Sequence, residues 1–150
     1  MISRKTSAVL AACLALPYVV SKVHFAMAGQ LGVHGGPRVT ADDYTKFGDT
    51  ADVSAAQWGN VAAGTVIFVI SLLPLAPFAR RWNRWVLAVP VMAAGSTTAG
   101  FGLSMIVNGA VTGRGGYPFG AYSVVWGAMQ CALARRVVGR TTQVRQPRTS

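Results

Sequence analysis

Apolar positions along this chain run in long blocks, separated by short polar and basic segments. The clearest block, 61–73, is apolar throughout, interrupted only by Ala, Gly, Thr and Ser. Four blocks predict membrane-spanning helices, at about 7–28, 55–79, 85–107 and 119–134. The first three each supply the roughly 20 apolar residues needed to cross about 30 Å of hydrocarbon. The fourth lies near the lower limit of about 17 residues. It spans if Tyr117 and Pro118 begin it, or if Arg135 snorkels to the interface. The first block has a rival reading as a cleaved signal peptide: Arg4 and Lys5 precede an apolar core at 8–20, and Ala26-Met27-Ala28 supplies a cleavage pattern. Lys22 and His24 just ahead of that pattern, and an apolar run longer than a secretory core, favour an uncleaved span.

Composition agrees with a membrane chain. A length of 150 residues suits one domain, with 52% hydrophobic and only 12% charged residues, whereas soluble domains carry about 25% charged. A net charge of +10 raises nucleic acid as a partner. Binding it would need bases gathered on one face, and here they fall in clusters between apolar blocks, so no nucleic-acid partner is expected. Arg4, Lys5, Arg80, Arg81, Arg84, Arg135, Arg136, Arg140, Arg145 and Arg148 fall on one side of the predicted spans; Arg38, Lys46 and Arg114 fall on the other. The bias predicts both termini in the cytoplasm, with Trp82 and Trp85 at the inner interface. The expected architecture is an all-α, four-transmembrane-helix bundle in a cell membrane, N-in/C-in, occupying 1–139. A basic tail at 140–150 follows, expected to be disordered in water. It acts as a topogenic stop or lies against anionic lipid, at about 1 kcal/mol per base.

The outer loop, 29–53, is the long polar piece and holds every acid in the chain: Asp42, Asp43, Asp49 and Asp52. Thr40 and Asp43 have capping-box spacing, which predicts a short surface helix with Tyr44 and Phe47 on one face and an end at Gly48. Ser54 and Gln57 repeat that spacing at the mouth of the second span. In the third span small residues recur every four positions: Gly95 and Ala99, Ser96 and Gly100, Thr98 and Gly102. Small faces let membrane helices approach closely, so this span is expected to be the most buried, packed on two neighbours. A polar path lined by Ser96, Thr97 and Thr98 is the competing reading.

Lys22 is the most expensive residue in the sequence, since a mid-span Lys costs about 2.5–3.5 kcal/mol on insertion scales. Three readings stay open: snorkelling, an ion pair with Asp49 or Asp52, or a site for an acidic ligand. His24, two residues on, points about 200° away on a helix, so the two do not form one site. A metal site from His24, His34 and loop Asp residues lacks tight ligand spacing. Hydrolysis needs a nucleophile beside a base or two carboxylates about a bond, and the carboxylates here suit helix starts instead. Gly113-Arg114-Gly115-Gly116 reads as a tight turn between spans. Cys13 and Cys131 fall toward the reducing side and are expected to pack as small hydrophobes. No catalytic residue, cofactor or metal is expected.

The stretch from Lys22 through His24, Phe25, Ala26, Met27, Ala28, Gly29, Gln30 and Leu31 to Gly32 resembles the end of helix one in a family of small bacterial membrane proteins of unknown function. In that family a Lys or His and an aromatic precede an Ala-Leu-Gly-Gly-like turn. Here the usual Trp is missing, and Met27-Ala28 stands where Leu-Gly is common. The resemblance implies four helices and no assigned activity. The preference for Arg over Lys, with abundant Ala, Gly and Val, is similar to actinobacterial proteins. The expected role is a non-enzymatic membrane component or accessory subunit, meeting a protein partner or a second copy through small-residue helix faces. An oligomeric transporter or channel subunit is the alternative, and a membrane enzyme the third reading.

Overall fold

Each long helix starts where a side chain or a proline satisfies its first turn. In the computed structural model, which describes residues 3–139, Ser3 caps α1 (Arg4–Met27) by accepting the Thr6 N–H at 3.0 Å. The long loop after α1 carries a four-residue helix, α2 (Ala41–Tyr44). Asp49 caps α3 (Thr50–Leu72), accepting from the Asp52 N–H at 2.9 Å. Asn83 caps α4 (Arg84–Thr112) through the Trp85 N–H. In α5 (Tyr117–Val138) Pro118 occupies the first turn, where its missing N–H is harmless. The described residues contain no strand, only an isolated bridge between Pro37 and Gly115.

Three helices are long and apolar enough to cross a membrane: α1, α3 with the 3₁₀ turn after it (Thr50–Leu75), and α4. The second span begins earlier than expected, because Asp49 rather than Ser54 is its cap. It also stops earlier, at Leu72, where Pro74 and Pro77 remove two donors and leave the 3₁₀ turns Leu73–Leu75 and Phe78–Arg81. The third extends to Thr112 and ends on Gly113, whose φ of 67° is the left-handed conformation of a helix C-cap. The fourth helix does begin at Tyr117 and reaches Val138, 22 residues. The surface helix forms with its capping box, Asp43 accepting the Thr40 N–H at 2.7 Å and hydroxyl at 3.0 Å. It ends at Tyr44 rather than Gly48, because the Thr45 hydroxyl folds back on the Asp42 carbonyl at 2.7 Å.

The long helices follow one another around the bundle as α3, α1, α5, α4. The seams α1–α3 and α4–α5 run long, α1 meets α5 between them, and α3 only grazes α4. The expectation that the third span is the most buried is therefore corrected. Nine residues of α5 are buried, against six on the longer α4, because α5 is flanked by α1 and α4. From α5, Tyr122 donates to the Leu14 carbonyl and Trp126 to the Ala11 carbonyl at 3.2 Å. These bonds join α5 to the stretch of α1 ahead of Pro17. An apolar core of Ala8, Ala11, Leu87, Val91, Leu133 and Val137 fills the end where α1 begins and α5 stops. The tail expected at 140–150 lies outside the described residues.

Candidate functional site

A cluster of polar side chains from α1 and α3 lies at the opposite end, beneath the long loop between these helices. Lys22 lies one and a half turns from the end of α1, close enough for its stem to carry the ammonium toward the loop. There Nζ donates to the Gly32 carbonyl at 2.8 Å and to Gln57 Oε1 at 3.0 Å, and sits 5.8 Å from the centre of the Tyr18 ring. That last distance is within cation–π range. Gln57, on α3, is only 2% exposed. Its amide nitrogen donates to the Gln30 carbonyl at 3.0 Å and the Gly32 carbonyl at 3.3 Å, while Asn60 donates to its Oε1 at 3.4 Å. One helix turn away the Ser54 hydroxyl donates to the Ala26 carbonyl at 2.7 Å. Lys22 and Gln57 thus hold the first residues of the loop against the α1–α3 seam.

The ion pair expected between Lys22 and Asp49 or Asp52 does not form. Both carboxylates are occupied at the α3 N-terminus, Asp49 on the Asp52 N–H and Asp52 on the Gly48 N–H at 3.0 Å. The Lys22 ammonium is held by uncharged carbonyl oxygens instead, because the loop folds back toward α1 and brings Gly32 within reach. The structure also separates Lys22 from His24, as the 200° spacing requires. His24 pairs with the loop: its ring lies 5.3 Å from that of His34 and 5.5 Å from that of Phe25. His34 is oriented by Ser21, whose hydroxyl accepts the His34 backbone N–H at 2.8 Å and lies 2.8 Å from Nδ1. Among the described residues no group of three or more His, Cys, Asp or Glu is placed to hold a metal ion.

The far side of the loop is tied to the turn between α4 and α5. The Arg38 N–H donates to the Arg114 carbonyl at 2.9 Å, and the Phe119 N–H to the Gly35 carbonyl at 3.1 Å. Arg114 pairs with Asp43 at 3.1 Å. Gly116, with φ of 92°, lets the turn pass under the loop; a Cβ there would meet Pro37 N at 2.9 Å. The bond from the Thr40 backbone, then that from its hydroxyl, and the Arg114 guanidinium hold the Asp43 carboxyl below its ordinary range. The loop is therefore a lid, fastened at one edge by Lys22 and Gln57 and at the other by Asp43 and Arg114. Deeper among the helices a cleft of about 230 Å³ is lined by Asn60 of α3, Thr97, Thr98 and Phe101 of α4, Tyr18 of α1 and Ser123 of α5.

The small residues of α4 divide by face. A Cβ on Gly95 would meet the Gly127 carbonyl at 2.8 Å, and one on Gly102 the Gly120 carbonyl at 2.6 Å. Ala99 backs onto Gly127. Gly100 corrects the expected packing set, because it faces outward with nothing within 4 Å of an added Cβ. Cys131 rests against Gly95, Cys13 is exposed, and both are free thiols. Sequence reasoning missed Gln57, which it took for a cap, and the α5 glycines 120 and 127. Signals existed for both: Ser54, Gln57 and Asn60 recur every three positions, and Gly95, Gly102 and Gly109 recur every seven, matching the Gly120–Gly127 spacing. Comparison with protein-family models, with characterised proteins and with solved structures returns no match for this chain.

Proposed function

We propose that the chain is a four-span, non-enzymatic component of a cell membrane, N-in and C-in, acting as an accessory subunit through association within the bilayer. The observation that carries this reading is the use made of its polar groups. Lys22, Gln57, Ser54, Ser21, Asp43 and Arg114 hold the lid, while Asp49 and Asp52 serve the α3 N-terminus. A catalyst needs such groups aimed at a reacting atom.

A fourth span is supported by the place of α5 between two helices that are themselves apolar enough to cross. Its 22 residues make about 33 Å at 1.5 Å each. The orientation is supported by the gathering of Arg4, Lys5, Arg81, Arg84, Arg135 and Arg136 at the end away from the lid. The cleft among the helices favours a second reading, a transporter subunit whose polar path includes Asn60, Thr97 and Thr98. Native mass of the chain extracted in mild detergent separates the two. A defined complex with a different protein supports the accessory role. A homo-oligomer whose Thr97→Cys variant, made with Cys13 and Cys131 replaced by Ala, reacts with a membrane-impermeant thiol reagent supports the path. A lone monomer counts against both. Reporter fusions after residue 84 and within 29–53 test the orientation, with a cytoplasmic signal expected only from the first.

A further inference from the structure

At the end where α1 begins and α5 stops, the first turns of α4 and the last turns of α5 border a groove of about 360 Å³. Trp85, Val89 and Met92 form one wall, and Ala134 and Val138 the other. Arg135 stands at this groove, exposed, its guanidinium without a hydrogen-bond or ionic partner among the described residues. Arg84 bridges the two helices there by donating to the Val138 carbonyl at 3.4 Å, so one of the carbonyls that would repel an anion is covered. Trp85, 53% exposed, lies where an indole straddles the boundary between hydrocarbon and headgroups.

We propose that this groove is a binding site for one anionic phospholipid, its acyl chain along Val89 and Met92 and its phosphate on Arg135. The inference rests on the membrane-spanning reading of the helices, but not on their orientation. A concave apolar wall ending in a guanidinium matches an amphiphile with a single acidic head. Guanidinium groups bind phosphate oxygens in a planar two-bond fork, and basic pockets between membrane helices favour anionic headgroups. Phosphatidylcholine offers the same phosphate, but its quaternary ammonium would face Arg84 and Arg135 together. The chain's own tail is a poor occupant, because residues 140–150 carry Arg140, Arg145 and Arg148 and no acid.

The test uses the full chain in nanodiscs of equal phosphatidylglycerol and phosphatidylcholine, released gently for native mass spectrometry to read which lipid stays bound. One retained lipid per chain is expected, with phosphatidylglycerol preferred. Arg135→Gln should cut that preference about five-fold, the equivalent of about 1 kcal/mol, and Arg135→Lys should keep most of it. Val89→Trp, which crowds the groove, should lower retention of both lipids. Arg38→Gln, at the lid end, should change nothing. Should Arg135→Gln fail to fold, the wild-type preference must still weaken from 20 mM to 500 mM salt as charges are screened. Equal retention of the two lipids, an unchanged preference in Arg135→Gln, or an equal loss in Arg38→Gln would overturn the site. Alkaline washing of native membranes tests the premise separately: a chain that stays in the pellet yet shows no preference is a membrane protein without this site.

Discussion

Two seams hold the helices together, and they are built by opposite means. Along α4–α5, backbones touch where glycines leave room, so that Gly95 and Gly102 face the carbonyls of Gly127 and Gly120. Along α1–α3 the half next to the loop is joined by polar side chains: Ser54 reaches the end of α1, and Lys22 and Gln57 share the Gly32 carbonyl. In lipid, association relies on close packing and hydrogen bonds rather than on the hydrophobic effect. The first seam uses packing and the second, at its loop end, uses hydrogen bonds. The difference teaches which seam tolerates change. Backbone contact has no slack, whereas a side-chain network can lose one member and keep the rest.

The largest effect should therefore come from a single methyl group in the packed seam. An added Cβ on Gly127 would lie 2.5 Å from both the Ala99 nitrogen and the Gly95 carbonyl oxygen. No rotamer relieves that clash, so the helices must part. Overpacking usually costs about 1–3 kcal/mol, and contact with backbone places Gly127→Ala at the upper end of that range. Gly127→Val should prevent a stable fold. Thermal unfolding in detergent measures it, and a wild-type midpoint for Gly127→Ala would mean that the seam is looser than described.

Next in size is the polar seam. Gln57→Leu strips the Gln30 carbonyl of its amide donor and leaves Lys22 with Gly32 alone, a loss of about 2–3 kcal/mol for buried groups deprived of partners. Lys22→Met should cost less, because Gln57 keeps Asn60 and both loop carbonyls. The decisive quantity is the coupling. Lys22→Met with Gln57→Leu should be non-additive by about 1–2 kcal/mol, whereas Lys22→Met with Asp49→Asn or Asp52→Asn should add within about 0.5 kcal/mol. Coupling to either aspartate, measured in the same detergent, would restore the ion pair that the structure replaces.

How much of this was legible in the sequence follows the same division. Helix positions were legible because apolar length and prolines are local features. The ends moved where a cap competed: Asp49 outranked Ser54, and Pro74 stopped α3 before residue 79. The standing of α5 was not legible from hydropathy. Its buried stripe includes Ser123 and Gln130, and the fully buried Gln130 amide has no hydrogen-bond partner among the described residues. Such residues lower an apolar average while being sheltered by neighbours that a linear reading does not see. Lys22 was legible as a residue that needs an answer, but the answer came from the loop's path, since backbone carbonyls carry no residue-specific mark. Ser21 with His34 was hidden for the same reason, and Gly100 was assigned to a face on spacing alone.

Gly100 provides a smaller effect of opposite sign. It lies two positions from Gly102 and so on the other side of α4, with nothing near its missing side chain. Gly100→Ala should raise stability by up to about 1 kcal/mol, the helix-interior difference between the two residues. Gly102→Ala should lower it, since its Cβ would meet the Gly120 carbonyl at 2.6 Å. Two equal signs in the unfolding midpoints would show that α4 is rotated relative to α5.

The smallest effect is local and belongs to the lid's outer edge. Asp43 is held by the Thr40 backbone and hydroxyl and by Arg114, and each of these lowers its carboxyl below the ordinary 3.8. Because the folded carboxyl is the stronger acid, the fastening it supplies is complete above that value and is lost as the pH falls through the lower, folded one. Neutral and mildly acidic solutions should therefore leave the lid closed, and only strongly acidic ones should loosen this edge. The edge is partly solvated, with side-chain exposures of 42% for Arg114 and 34% for Asp43, so the global unfolding midpoint should barely move. The readout is amide exchange at Thr40 and Arg38, whose N–H groups bond Asp43 and the Arg114 carbonyl. Asp43→Asn should raise exchange at both amides at neutral pH and leave the Lys22 edge protected. If exchange rises at Gly32 and Gln57 as well, the two edges open as one unit, and the lid is a single cooperative element rather than two independent fastenings.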